Sequence, residues 1–295
     1  MTKNRKKKKN NSKLVFLVFI ILIIALIIFI NNKNKTQPSE GNTSTTTAQA
    51  NNEQEQKQEQ QKPSKVQSLT DEEIKLSQER GLPVLMYHFF YDAQAGETGK
   101  DNNYMEIHDF EEQIKYLAEN DYYIPTWDEV LGYINGTNGL PLKSVVITAD
   151  DGAESFFRLA IPVLNKYNIQ ATSFLITSWY DIPTENYKIV DFQSHSHDMH
   201  RPGSDGKGAF LTMSYDDACN DLKTCREELG DNCKVFCYPF GHYNDKCEQI
   251  LKDCNYILAF TTKGGRVYPG SNPLELPRIR MSKGDSLNAF INKVK

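Results

Sequence analysis

Leu14 to Ile30 is an unbroken run of seventeen apolar residues. At ~1.5 Å per residue a helix of that length reaches the lower limit for crossing hydrocarbon. Residues 31–69 reverse the pattern, being Asn, Gln, Thr, Ser, Lys and Glu with almost nothing to bury, and predict a disordered polar linker. From residue 70 to 295 short apolar runs alternate with amphipathic stretches. Thr70 and Glu73 form a capping-box pattern for a helix that Gly81-Leu82-Pro83 ends. Strands are predicted at 84–87, 122–124, 144–148, 172–176, 189–193, 235–238 and 256–260, and helices at 110–119, 127–134, 156–167, 215–229 and 245–251. Such alternation predicts an α/β domain with a mostly parallel sheet, either a barrel or a doubly wound sheet.

Charge sharpens the picture of the N-terminus. Seven of the basic residues fall within residues 1–13, which contain no acid; the rest of the chain has 27 basic against 38 acidic residues, a net of −11. A body of that sign repels polyphosphate, so nucleic-acid binding is not expected of it. The basic tail next to the apolar run places the N-terminus in the cytoplasm and the folded domain outside the cell membrane, attached by a single-pass anchor at 14–30. A cleaved signal peptide is the competing reading, but the run exceeds the usual ~7 to 15 residues and no small-residue cleavage site follows closely.

All six cysteines, Cys219, Cys225, Cys233, Cys237, Cys247 and Cys254, lie in the C-terminal third. Cys219 and Cys225 are ~9 Å apart along one helix, and Cys233 and Cys237 about 13 Å apart if extended, so any disulfide must join different elements.

Reactive side chains gather at the C-terminal ends of four expected strands: His88; Asp150 and Asp151; His195, His197 and His200; and Tyr238-Pro239-Phe240-Gly241-His242. In a parallel α/β architecture those ends share one face, where sites assemble. The adjacent acids point in different directions and Gly152 allows a sharp turn behind them, so one can hold a metal while the other acts as a base. Two imidazoles and a carboxylate make a metal set with open positions. Spacing leaves the choice of imidazoles open: His195 and His197 share a strand face, His197 and His200 share a helix face, and His195 and His200 converge only across a bent loop.

These motifs carry a resemblance. Pro83-Val84-Leu85-Met86-Tyr87-His88, Thr148-Ala149-Asp150-Asp151-Gly152, Ser194-His195-Ser196-His197-Asp198-Met199-His200, Tyr238-Pro239-Phe240-Gly241 and Leu276-Pro277-Arg278-Ile279-Arg280 resemble, in order, those of the polysaccharide deacetylase (NodB-homology, carbohydrate esterase family four) group. The resemblance implies a distorted (β/α) barrel with fewer than eight complete repeats. It also implies one divalent cation, zinc first with cobalt or nickel as alternatives, held by Asp151, His195 and His200. Asp150 corresponds to the catalytic base, His88 to the general acid, and the Tyr238 backbone N–H to an oxyanion donor. The implied reaction is N-deacetylation of N-acetylglucosamine in a cell-surface glycan, with peptidoglycan preferred and poly-N-acetylglucosamine second. The five-residue step from His195 to His200 is similar to the poly-N-acetylglucosamine branch. Many relatives place a base-orienting arginine where Cys237 stands, and Arg278 reaching in from its own strand is the expected substitute. Tyr87, Phe240 and Tyr243 are candidate sugar-binding surfaces, alongside Phe89, Phe90, Trp179 and Tyr180. An O-acetyl esterase and a non-catalytic wall-binding module are the competing functions.

Overall fold

The computed structural model describes residues 69–179 and 186–295. The expected basic tail, the anchor at 14–30, all but the end of the linker, and Tyr180 therefore lie outside the described residues. No helix among the described residues is long and apolar enough to cross a membrane.

In chain order the elements are α1 (Asp71–Arg80), β1 (Val84–Tyr87), β2 (Phe89–Tyr91), β3 (Tyr104–Glu106), α2 (Ile107–Glu119), α3 (Trp127–Ile134), β4 (Val146–Ala149), α4 (Ile161–Tyr167), β5 (Ala171–Leu175), β6 (Val190–Ser194), α5 (Tyr215–Leu229), β7 (Val235–Cys237), α6 (Asp245–Asp253), β8 (Leu258–Gly264), β9 (Leu276–Arg280) and α7 (Leu287–Val294). Among the described residues, seven parallel strands close into a barrel in the order β1-β4-β5-β6-β7-β8-β9, with β9 returning to β1 through Leu85↔Ile279. Of the two sheet arrangements the alternation allowed, the barrel is the one adopted.

Local chemistry explains the element ends. Thr70 and Thr126 each close a capping box, with Glu73 and Glu129 respectively, so α1 and α3 begin where their sequences require. The expected helix over 156–167 is interrupted: Phe156–Ala160 forms a wider π turn before α4. Pro162 has no N–H to donate one turn back, and the widened turn absorbs that loss. Expected strand 122–124 is reduced to a single bridge, Tyr123↔Ser144. The short parallel pair β2 and β3 and the helix α7 were not expected from the pattern.

Strand residues alternate between two environments. Val84, Val146, Phe174, Phe260 and Leu276 fill the barrel, while Leu85, Tyr87, Ile147 and Leu175 pack outward in the layer that includes Phe110 and Ile114 of α2 and Val163 and Leu164 of α4. A third cluster joins α5 and α6 to the outer face of β7 through Leu222, Phe236, Ile250 and Leu251. The period of two continues past the strand ends, and it aims the next inward residues at one point.

Candidate active site

That point lies at the C-terminal mouth of the barrel, in a cavity of about 320 Å³ whose walls include His88, Asp150, Asp151, His195, His200 and Phe240. A cavity of about 350 Å³ at the other end, near Trp127, Asp191 and Lys234, has no histidine among its lining residues. The chemistry therefore belongs to the mouth.

Asp150 continues the ladder after β4, its N–H donating to the Tyr87 carbonyl at 3.0 Å. Asp151 and Gly152 then adopt consecutive left-handed conformations, with φ of 71° and 67°. A side chain at residue 152 would meet Leu175 Cδ2 at 2.2 Å, so the turn requires glycine twice over. This sends the two carboxylates apart, Asp150 into the barrel and Asp151 towards the histidines.

The loop after β6 is bent by Ser196, whose φ is 78°. Both carboxylate oxygens of Asp221 on α5 accept from it, taking the His197 and Asp198 N–H groups at 2.7 Å each. Met199 is fully buried with Phe210, Phe236 and Tyr238. Anchored at both points, the loop brings His195 and His200 together: their Nε2 atoms lie 3.4 and 3.5 Å from Asp151 Oδ1. His197 turns away to Thr177 Oγ1 and Glu228, at 3.0 and 3.1 Å. The choice of imidazoles is thus made by the bend, and the donor atoms of Asp151, His195 and His200 all lie within 4.8 Å of one another. His195 Nδ1 must donate to the Cys237 carbonyl at 2.7 Å, since a carbonyl only accepts, which leaves Nε2 as the coordinating atom. One carboxylate and two imidazoles, that of His195 with its tautomer fixed, fit a borderline divalent cation. A second grouping, Asp150, His195 and Cys237, shares His195, but its carboxylate is already engaged by an arginine.

That arginine is Arg278. It is fully buried and forks onto Asp150 with two bonds of 2.7 Å, Nη1 to Oδ1 and Nη2 to Oδ2. Its remaining donors reach Thr148 Oγ1 at 3.0 Å, the Thr261 carbonyl at 3.1 Å and Cys237 Sγ at 3.1 Å. Burial pushes the Asp150 carboxyl up, but the guanidinium outweighs it and holds the group well below the usual carboxylate range. Burial pushes the Cys237 thiol up, so it stays protonated and donates to Asp150 Oδ2 at 3.5 Å. Cys237 thus touches both arms of the site, the base through its thiol and His195 through its carbonyl.

His88 Nε2 lies 3.8 Å from Asp150 Oδ2. Burial lowers its pKa, with Asp150 and Asp151 opposing.

Two expectations are corrected. The Tyr238 amide donates to the Phe260 carbonyl at 3.0 Å within the barrel ladder, so it is not free for an oxyanion. The next N–H along the chain is that of Phe240, whose left-handed backbone (φ 61°) interrupts the ladder and whose amide has no partner among the described residues. Tyr87 is buried in the outer core with its hydroxyl donating to Gln113 Oε1 at 2.7 Å, so it presents no face to a ligand. Phe90 is likewise buried. Phe240 is 44% exposed and lies against His200, ring centres 4.2 Å apart. Trp179 meets the same imidazole edge-on at 5.4 Å, and Phe89 also lines the cavity. Tyr243 stacks on Tyr238 at 4.9 Å, outside the cavity wall.

Asn103, Thr262 and Arg280 also line the cavity and were not anticipated. Arg280 had a signal, standing two residues beyond Arg278 on the same face of β9. It donates to Asn103 Oδ1, tying the mouth to the segment before β3.

Comparison with known proteins places this geometry. A profile described as polysaccharide deacetylase matches residues 137–259. The chain carries a polysaccharide deacetylase domain. The poly-β-1,6-N-acetyl-D-glucosamine N-deacetylase of Staphylococcus aureus (strain MRSA252) is 31% identical over 194 residues, covering 59% of this chain and 66% of that protein. Its Staphylococcus epidermidis counterpart is 29% identical over 225 residues, covering 69% of this chain and 76% of its own length. Among solved structures, IcaB from Ammonifex degensii aligns with the deacetylase domain at a TM-score of 0.62 and 25% identity, covering 72% of this chain and 97% of that one. Streptococcus pyogenes deacetylase PplD, in complex with acetate, aligns at 0.62 and 23% identity, over 73% and 98%, which supports the shared fold.

Proposed function

We propose that the deacetylase domain hydrolyses the N-acetyl group of β-1,6-linked N-acetylglucosamine in a cell-surface glycan, releasing acetate. The observation that carries this is the convergence of Asp151, His195 and His200 beside the Asp150–Arg278 pair and His88. The curated relatives named for poly-β-1,6-N-acetyl-D-glucosamine favour that glycan over peptidoglycan, the substrate first expected. Export and tethering through residues 14–30 suit such a substrate.

A divalent cation held by Asp151, His195 and His200, zinc or else cobalt or nickel, supplies Lewis acidity that lowers the pKa of water towards ~7 and polarises a carbonyl. The protein does the rest. Arg278 fixes Asp150 in orientation and keeps it ionised, ready to take a proton from the attacking water. The Phe240 N–H replaces Tyr238 as the donor to the developing oxyanion. His88 gives its proton to the departing sugar nitrogen. Phe89, Trp179 and Phe240 offer apolar surface at the mouth for a pyranose ring.

The test is acetate release by the full chain from poly-β-1,6-N-acetylglucosamine, peptidoglycan, chitooligosaccharide and acetylated xylan, with and without chelator. Chelator-sensitive release from the first is expected, and Asp150→Asn should keep its metal while losing most turnover. Release from xylan esters alone would make the domain an esterase. A folded, metal-loaded protein inert on every glycan would leave it a binding module.

A further inference from the structure

We propose that Cys219 and Cys254 form a disulfide that joins α5 to the end of α6. Cys219 lies in α5, Cys254 caps the C-terminus of α6, and their sulfurs are 3.2 Å apart although the residues are 35 positions apart in sequence. A disulfide has S–S of about 2.05 Å, so closure requires a movement of only about 1 Å, well within side-chain rotation at a helix end. Both cysteines are partly exposed, so a soluble oxidant reaches them, whereas Cys225, Cys233, Cys237 and Cys247 are buried. Each of those four has a partner of another kind: Ser194 Oγ for Cys225, Tyr256 Oη for Cys233, Asp150 for Cys237 and the Phe210 carbonyl for Cys247. Cys225 and Cys233 also interact with one another, which makes them the rival pair, but burial shields both.

The position gives the bridge a consequence. Asp221, two residues beyond Cys219, holds the loop that carries His195 and His200, while α6 follows the Pro239–Gly241 turn that presents Phe240. The Tyr215 hydroxyl already ties α5 to Asp253 at 2.9 Å, beside Cys254. A covalent link at this seam ties the helix that anchors the His195–His200 loop to the helix that follows the Phe240 turn.

The oxidant is a small-molecule disulfide. One cysteine thiolate attacks it, forming a mixed disulfide and releasing one thiol. The second thiolate attacks the protein sulfur of that mixed disulfide and displaces the other thiol. The protein gives up two electrons and two protons, which the oxidant carries away as two thiols.

The full chain is equilibrated in oxidised or reduced glutathione, quenched in acid, alkylated and cut with trypsin. The cut separates the pair, Cys219 falling in residues 208–223 and Cys254 in residues 253–263. In the oxidised buffer these peptides should appear joined, lighter by two hydrogens, and the melting temperature should rise by about 5 to 10 °C over the reduced sample. Cys219→Ser and Cys254→Ser should each abolish the joined peptide and the rise, while melting like the reduced protein. Alkylation of both thiols in the oxidised, folded protein would overturn the proposal, as would a cross-link confined to Cys225 and Cys233.

Discussion

Arg278→Met removes the charge beneath Asp150 while keeping an unbranched apolar stem of comparable reach. Arg278 is fully buried and Asp150 is 2% exposed, so no water replaces the two lost 2.7 Å bonds. Stranding one member of a buried ion pair costs about 3 to 5 kcal/mol, and the Thr261 carbonyl also loses its arginine donor. For a domain of this size that is a fall in melting temperature of roughly 6 to 20 °C.

The pH dependence separates this cause from simple loss of packing. In the wild type, Arg278 keeps the folded Asp150 pKa below its unfolded value of about 3.9. Its stabilisation is complete above that value and is lost only as pH falls through the depressed folded pKa. In Arg278→Met, burial loses its main opponent, and with only His88 and His195 left to oppose it the folded pKa should rise above the unfolded one. The penalty is then fully present at neutral pH and is relieved as pH falls through the raised value. The gap in melting temperature between the two proteins, followed by circular dichroism, should therefore be widest at neutral pH and narrow on acidification. Adding Asp150→Asn to the variant removes the stranded charge and should recover a large part of the loss. A gap that stays constant with pH, with no recovery in the double variant, would refute the electrostatic explanation.

Three further outcomes follow from other contacts. The Gln193 carboxamide accepts the Lys234 and Val235 N–H groups at 2.9 and 2.8 Å and donates to the Asn232 carbonyl at 3.0 Å, where β6 and β7 share a single paired position. Gln193→Leu leaves these groups unpaired and should cost about 2 to 5 kcal/mol in a denaturant titration; a change below 1 kcal/mol would contradict that. Asp221→Ala frees the His197 and Asp198 amides, so affinity for zinc, measured by competition with a chromogenic chelator, should drop about 10- to 100-fold; unchanged affinity would show that the loop holds itself. Burial lowers the His88 pKa and Asp150 stays ionised across the working range. The deacetylation rate should therefore fall as pH rises through that lowered value, on the acid side of the ordinary imidazole pKa of about 6.5, with no acid limb from the base, and His88→Ala should flatten that fall.

How far such a site can be read from a linear sequence depends on which distances the chain itself controls. A period of two set the side on which Asp150, His195, Cys237 and Arg278 emerge, and the turn chemistry of Asp151-Gly152 separated the two acids; both were legible because they act within a few residues. The selection of His195 and His200 over His197 was legible only through the resemblance and not from spacing, because it is made by Asp221 on α5 and by the burial of Met199, contacts with elements after the loop. The Phe240 amide was missed for a related reason. Tyr238 stands first in its motif, but it still belongs to the ladder, and only the left-handed backbone two residues later releases an N–H. Arg278, by contrast, was named from the sequence as the substitute for the arginine that the resemblance would put at Cys237, and the fold shows how it reaches: barrel closure sets β9 beside β1, whose other neighbour is β4, so that Arg278 crosses the interior to the Asp150 carboxylate. In a closed sheet the first and last strands are neighbours, so a charge lost from one strand can be restored from a strand distant in sequence without moving the base.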